Sequence, residues 1–171
     1  SGSRAAVYGD DAREAVDEAR LPAPHRPSGV PKLAGEHLAH LYRRNHGVPT
    51  LSLRYFSVYG PRERPDKAIQ KFMLRALAGE GIEIYGDGRQ QRDFTYVGDV
   101  LDATVAALER APVGETLNIA RGHTHSLAEL VDTVRRVTGA PLPAAAQGKE
   151  AGDVRVTSAR IDRAREVLGY D

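Results

Sequence analysis

"KLAGEHLAHLYRRNHGVPTLSLRYFSVYGP", residues 32–61, holds a helix, a stop and a strand in succession. Leu33, Ala34, His37, Leu38, Leu41 and Tyr42 recur at three- and four-residue intervals, which places them on one helical face. Gly47 supplies the stop, because glycine enters the left-handed conformation that closes a helix at little steric cost. From Val48 the pattern changes to a compact apolar and β-branched run closed by Gly60-Pro61, predicting a strand buried on both faces. A helix feeding a doubly buried strand is α/β grammar, and this stretch sets the fold class as α/β.

Downstream, the spacing predicts a helix over 68–77, a short strand in "IEIYG" ending at Gly86, and a helix over about 99–109. "ETLNIA" from Glu115 reads as another buried strand. Ser126 and Glu129 have the spacing of a capping box, in which each satisfies a free amide at a helix start, and the helix should reach Thr138 with Gly139 behind it. "DVRVTSARIDRAREVLGY" gives polar-apolar alternation and then a final short helix, while Ala144-Ala145-Ala146 reads as loop. Upstream, residues 10–31 are rich in Asp, Glu, Ala, Pro and Gly with no sustained period, the mark of a long surface loop, and Ser1-Gly2-Ser3 carries no structural weight. Only one or two segments look like central parallel strands, fewer than a doubly wound sheet normally contains.

At 171 residues the chain suffices for one domain. A net charge of +1, from 24 basic and 23 acidic residues, gives no electrostatic reason to expect nucleic acid or a membrane surface as partner. The absence of cysteine removes disulfides, thiolate nucleophiles and cysteine metal sites together. No apolar run approaches the ~18 residues of a membrane span, and the first residues lack the pattern of a signal peptide, so a soluble, cytoplasmic protein is expected.

"AVYGD" at 6–10, "KLAGEHLAHLYRRNHGVPTLSLRYFSVYGPRERPD" at 32–66, "IYGDGRQQRDFTYVGDV" at 84–100, "ETLNIA" at 115–120 and "AGDV" at 151–154 resemble, in the same order, segments of the extended short-chain dehydrogenase/reductases. The nearest likeness is to the NAD-dependent nucleotide-sugar epimerases and dehydratases, of the UDP-glucose 4-epimerase kind. The resemblance covers the chain from Arg4 to Tyr170 but corresponds to the second part of such an enzyme. It implies a truncated Rossmann-like fold lacking the amino-terminal dinucleotide-binding half, with the elements of the small substrate domain retained. The expected organisation is a single domain over 1–171, with 4–66 and 98–125 as Rossmann-like elements and 67–97 and 126–171 as substrate-domain elements. No glycine-rich turn follows a strand and opens a helix, so no cofactor and no metal are expected to be held by this chain.

In the family, a Tyr-x-x-x-Lys pair on a helix transfers the proton that accompanies hydride transfer. Lys32 stands at the lysine position, but Ser28 stands at the tyrosine position. A serine hydroxyl ionises far above the value of about 10 for tyrosine and is shorter, so it cannot assume that role. Pro31 fits a first helical turn, and Ser28 reads first as a helix cap. Arg4 occupies the third family catalytic position, three residues before Val7, where a serine or threonine is usual.

On the substrate side, the resemblance assigns Arg92 to the clasp of a nucleotide diphosphate, with Asp93 and Tyr96 in the same segment. Glu150 occupies the place of a second clasping arginine, which exchanges attraction for repulsion. Ser57 stands where an asparagine is usual. Asp99 near a helix start and Asp153 in a turn have structural explanations. The expectation is an NAD-independent, degenerate epimerase/dehydratase-like protein whose old cleft serves ligand binding or regulation. The alternatives are a repurposed non-redox isomerase, lyase or cyclase drawing on Lys32, Arg4, Glu150, Asp93, His25 and Tyr8, or a fragment or subunit of an NAD-dependent enzyme. The expected partners are a small-molecule ligand such as a nucleotide sugar, and a second copy or separate protein covering the "TLSLRYFSVYG" strand, which would lack a neighbour on one side.

Overall fold

A parallel three-stranded sheet organises the chain, with β2 (Ser52–Tyr55) at its centre, β1 (Gly2–Arg4) on one side and β7 (Thr116–Ile119) on the other. The computed structural model describes residues 2–9, 14–110, 113–148 and 154–170. The short amino-terminal segment is thus a strand, in register Gly2↔Leu53 to Arg4↔Tyr55, where the sequence suggested no structural role. For the same reason β2 is flanked on both sides, and the strand expected to lack a neighbour is the central one.

Alternation along β2 divides the two faces of the sheet. Leu53 and Tyr55 face α3 (Val97–Arg110), where the Tyr55 hydroxyl lies 3.2 Å from that of Thr104. Ser52 and Arg54 face the opposite side, where α1 (Gly29–His46) crosses and Glu36 meets Arg54. The larger apolar core lies on the α3 side, from Leu53, Val100, Ala103, Leu117 and Ile119 with α5 (Asp162–Leu168) closing its end. A smaller core joins α2 (Ala68–Leu77) to α4 (Leu127–Thr138) through Phe72, Ala76, Val131 and Val134. It is flanked by the parallel pair β4 (Ile82–Tyr85) and β9 (Ala144–Gln147), so the alanine tract is a strand rather than a loop.

The predicted caps appear at α4: the Ser126 hydroxyl accepts from the Glu129 amide, the Glu129 carboxylate accepts from the Ser126 amide, and Gly139 takes φ 66°. In α1 the outcome is mixed. Gly47 closes the helix with φ 67°, but Leu38, Leu41 and Tyr42 are about half exposed, at 55%, 47% and 52%, so only Leu33 at the start of the apolar stripe packs against the larger core. The buried members of the helix are Gly29 and Glu36. The start of α1 is pinned by Gly29, where a Cβ would lie 2.5 Å from the Ala6 carbonyl oxygen. Within 14–28, the expected surface loop, Val16 is nearly fully buried and bridges to Ala159.

The α1 side of the sheet carries a buried polar network. Arg54 is 4% exposed, and its Nε and Nη2 donate to the two Glu36 oxygens at 3.0 and 2.6 Å. Its Nη1 donates to the Tyr8 hydroxyl at 2.7 Å, and that hydroxyl donates to Asn118 Oδ1 at 2.7 Å. Asn118 Nδ2 donates to the carbonyls of Val16 and Arg160, and the Asn118 amide donates to Glu18. Burial pushes the Glu36 carboxyl up, but the hydrogen bonds and charge of Arg54 more than offset this and hold it below the usual carboxylate range. Among the described residues no helix is long and apolar enough to cross a membrane.

Asp93, also fully buried, follows β5 (Gln91–Arg92), which lies between β10 (Val156–Thr157) and β8 (His125–Ser126). Its oxygens accept from the amides of Arg121 and Gly122 at 2.8 and 3.0 Å, fastening the exit of β7 to the substrate-side elements. Burial keeps its carboxyl above the usual range despite those amides.

Two measurements check this arrangement. In urea unfolding, Glu36→Ala or Arg54→Ala is expected to cost about 3–5 kcal/mol, each leaving a buried charge unpaired, whereas Glu36→Met with Arg54→Met costs much less than the sum. Because the folded pKa of Glu36 is depressed, its contribution is complete above the unfolded carboxylate range and vanishes as pH falls through the folded value, so Glu36→Gln flattens the acid limb of stability. Asp93→Ala should cost about 2–4 kcal/mol through two orphaned amides, with Asp93→Asn losing roughly half as much.

Candidate functional site

Parallel strands deliver their loops to one end of the sheet, and a crevice forms beyond their carboxyl ends. Here Arg4 ends β1, and Ser57 lies two residues past the end of β2. Arg92 approaches from the separate sheet formed by β5, β8 and β10. These three line one cavity of about 240 Å³, with Glu63 and Lys67 on its rim and Val58, Ile69 and Phe94 as an apolar wall. A second cavity of about 140 Å³ adjoins it, lined by Ala5, Ala6, His25, Arg26 and Thr157. Ser57 and Arg92 belong to both cavities and mark the middle of the crevice.

Arg92 Nη1 donates to the carbonyl of Gln91 at 2.8 Å and reaches that of Arg155 at 3.5 Å, which steadies the guanidinium at the junction. Glu63 has its carboxyl raised, first by burial and then by the charge of Asp66, while the Gln70 amide and the charge of Lys67 oppose the rise. Cations therefore dominate the crevice, a composition suited to an anionic ligand.

The remaining sequence candidates divide sharply. Ser28 precedes α1 with φ −70° and ψ −20°, is exposed, and its side chain makes no capping bond, contrary to the expectation of a cap. An N-cap residue normally has extended dihedrals, which Ser28 lacks. Lys32 is exposed, with its ammonium 3.5 Å from the Gly2 carbonyl. Neither Ser28 nor Lys32 lines either cavity. Tyr8 is committed to the core network, and burial raises the pKa of its phenol. Asp93 is occupied by two amides, so it positions the segment of Arg92 from beneath. Tyr96, on β6 (Thr95–Tyr96), packs its ring 5.7 Å from that of Tyr59 and lines neither cavity. Asp99 sits in the first turn of α3. Glu150 and Asp153 lie outside the described residues.

Sequence reasoning missed Glu63, Lys67 and Arg26. The dense charge of "RERPDK", between a Gly-Pro turn and a helix start, was the available signal for the first two. Lys67 is the residue immediately before α2, so the helix start itself places it at the crevice.

Among the described residues no group of three His, Asp or Glu side chains could hold a metal ion. Among the described residues, no glycine with positive φ both follows a strand and opens a helix in the manner that binds a pyrophosphate.

Comparison with known proteins agrees with this architecture. Residues 1–120 match the model of the NAD dependent epimerase/dehydratase family. The chain is 36% identical over 170 residues to the uncharacterized UDP-glucose epimerase YtcB of Bacillus subtilis, covering 99% of this chain and 54% of that protein. It is 33% identical to the UDP-glucose 4-epimerase of Streptomyces lividans, covering 99% and 56%. Among solved structures, the UDP-glucuronic acid 4-epimerase of Bacillus cereus, in complex with UDP-glucuronic acid and NAD, superposes with a TM-score of 0.94 at 39% identity, covering 99% of this chain and 55% of that one. The chain spans about half the length of the relatives it matches. With the parallel sheet, the crevice and these likenesses together, the chain belongs to the NAD dependent epimerase/dehydratase family.

Proposed function

We propose that the crevice binds a nucleotide sugar and that this chain does not itself transfer hydride. The observation that carries the reading is Arg92, shared by both cavities and braced by two carbonyls, where a diphosphate can accept charge-assisted hydrogen bonds from a fixed guanidinium. Ser57 beside it supplies a hydroxyl that can donate to or accept from the same ligand. Val58, Ile69 and Phe94 offer an apolar wall for a flat base or the hydrophobic face of a hexose. Relatives solved with UDP-glucuronic acid support this ligand class.

The second half of the proposal rests on Ser28. Its hydroxyl stands at the family's proton-transfer position, outside both cavities, with a pKa far above that of a phenol. What the chain keeps is the capacity to hold and orient an anionic ligand; the tyrosine-based proton step has no residue to carry it. The share of each relative that the chain covers supports a second reading, in which it supplies the substrate-holding part of an NAD-dependent epimerase.

Thermal unfolding with ligands separates the two. At about a hundredfold excess over Kd, UDP-glucose or UDP-glucuronate should raise Tm by roughly 5–10 °C, while NAD alone shifts it by less than about 1 °C. Stabilisation by NAD, or conversion of a UDP-hexose into its 4-epimer, favours the second reading. Arg92→Ala should weaken UDP-sugar binding by about tenfold or more in titration calorimetry, since it removes a charged donor from the diphosphate.

A further inference from the structure

We propose that Arg4 makes the crevice selective for nucleotide sugars whose hexose carries a carboxylate, an inference that rests on the nucleotide-sugar reading above. Three cations, Arg4, Lys67 and Arg92, line the larger cavity against one acid, Glu63. Two of the cations have work already. Arg92 is braced on the carbonyls of Gln91 and Arg155, and the charge of Lys67 acts on Glu63. The Arg4 side chain has no hydrogen-bond or ion-pair partner among the described residues.

The cations also stand on different walls. Arg92 belongs to β5, whereas Arg4 ends β1, beside its register partner Tyr55 in the main sheet. A ligand with charge only on its diphosphate satisfies Arg92 and leaves Arg4 unanswered. A second anionic group elsewhere on the ligand answers it. Glu63, in the lining of the same cavity, repels such a group, while Arg4 attracts it. A carboxylate matches the planar fork of a guanidinium and can accept two parallel hydrogen bonds from it, while a hydroxymethyl group cannot. Arg4 is largely exposed in the free protein, so water screens part of the gain, and the expected discrimination is modest.

Titration calorimetry of the full chain with UDP, UDP-glucose and UDP-glucuronate tests this directly. The chain should bind UDP-glucuronate about fivefold more tightly than UDP-glucose, with a preference that shrinks as salt is raised. Arg4→Gln should bring the ratio close to one while leaving the affinity for UDP unchanged, and Arg4→Lys should retain part of the preference. Equal affinity for the two hexoses in the unaltered chain overturns the proposal while leaving nucleotide-sugar binding intact. Loss of UDP affinity in Arg4→Gln as large as the loss for UDP-glucuronate also overturns it, because Arg4 then grips the diphosphate. Failure of all three ligands to bind overturns the nucleotide-sugar reading, and this proposal with it.

Discussion

The rest of the structure depends on one buried charge. Arg54 points from the central strand into the space beneath α1, where a guanidinium without a counter-ion would cost several kcal/mol. Glu36 neutralises it through two hydrogen bonds, fixing the rotation of α1 about its own axis. Tyr8 takes the third donor and passes the constraint to Asn118 on β7, which in turn holds the carbonyls of Val16 and Arg160. A chain of polar contacts therefore runs from the helix through the centre of the sheet to the loop before α1 and the approach to α5. Such a network is stabilising only when every member is satisfied, which explains why segments so far apart in sequence are held in one register.

This network also explains why Leu38, Leu41 and Tyr42 of α1 face away from the sheet. With Glu36 committed inward, these three side chains are rotated outward, because residues two, five and six positions along a helix do not share its face. Helical period was readable from the sequence, but the direction of the face was not. The choice was decided by an ion pair between residues 18 positions apart in different elements. Period and caps identified the elements reliably where local chemistry sufficed, as in α2 and in the Ser126–Glu129 capping box of α4. They failed at β1, whose glycine and serine carry no strand signature, and at β9, where alanine has weak strand preference and pairing with β4 prevails.

The candidate site was legible to a similar degree. Arg92, Ser57 and Arg4 meet in one crevice, where the carboxyl ends of parallel strands converge. Asp93 and Tyr8 belong to the same motifs, yet their polar atoms are consumed by backbone amides and by the core network. Motif membership cannot distinguish a residue that faces the ligand from one that supports it. Burial and hydrogen-bond partners can, and in both cases they place the titratable group within the scaffold.

The scaffold and the side chain at position 28 are physically separate. Ser28 is exposed, forms no cap bond and touches neither the Arg54 network nor the two apolar cores. The start of α1 is located by Gly29 against the Ala6 carbonyl, not by the side chain before it. Replacement of the side chain at position 28 therefore removes no buried hydrogen bond. The same exchange at Tyr8 would leave Arg54 and Asn118 each short of a partner. No buried contact of the fold passes through the Ser28 side chain, whereas the positions that hold Arg92 at the crevice are tied through Asp93 to the exit of the central sheet. The geometry of the crevice is thereby coupled to the integrity of the fold.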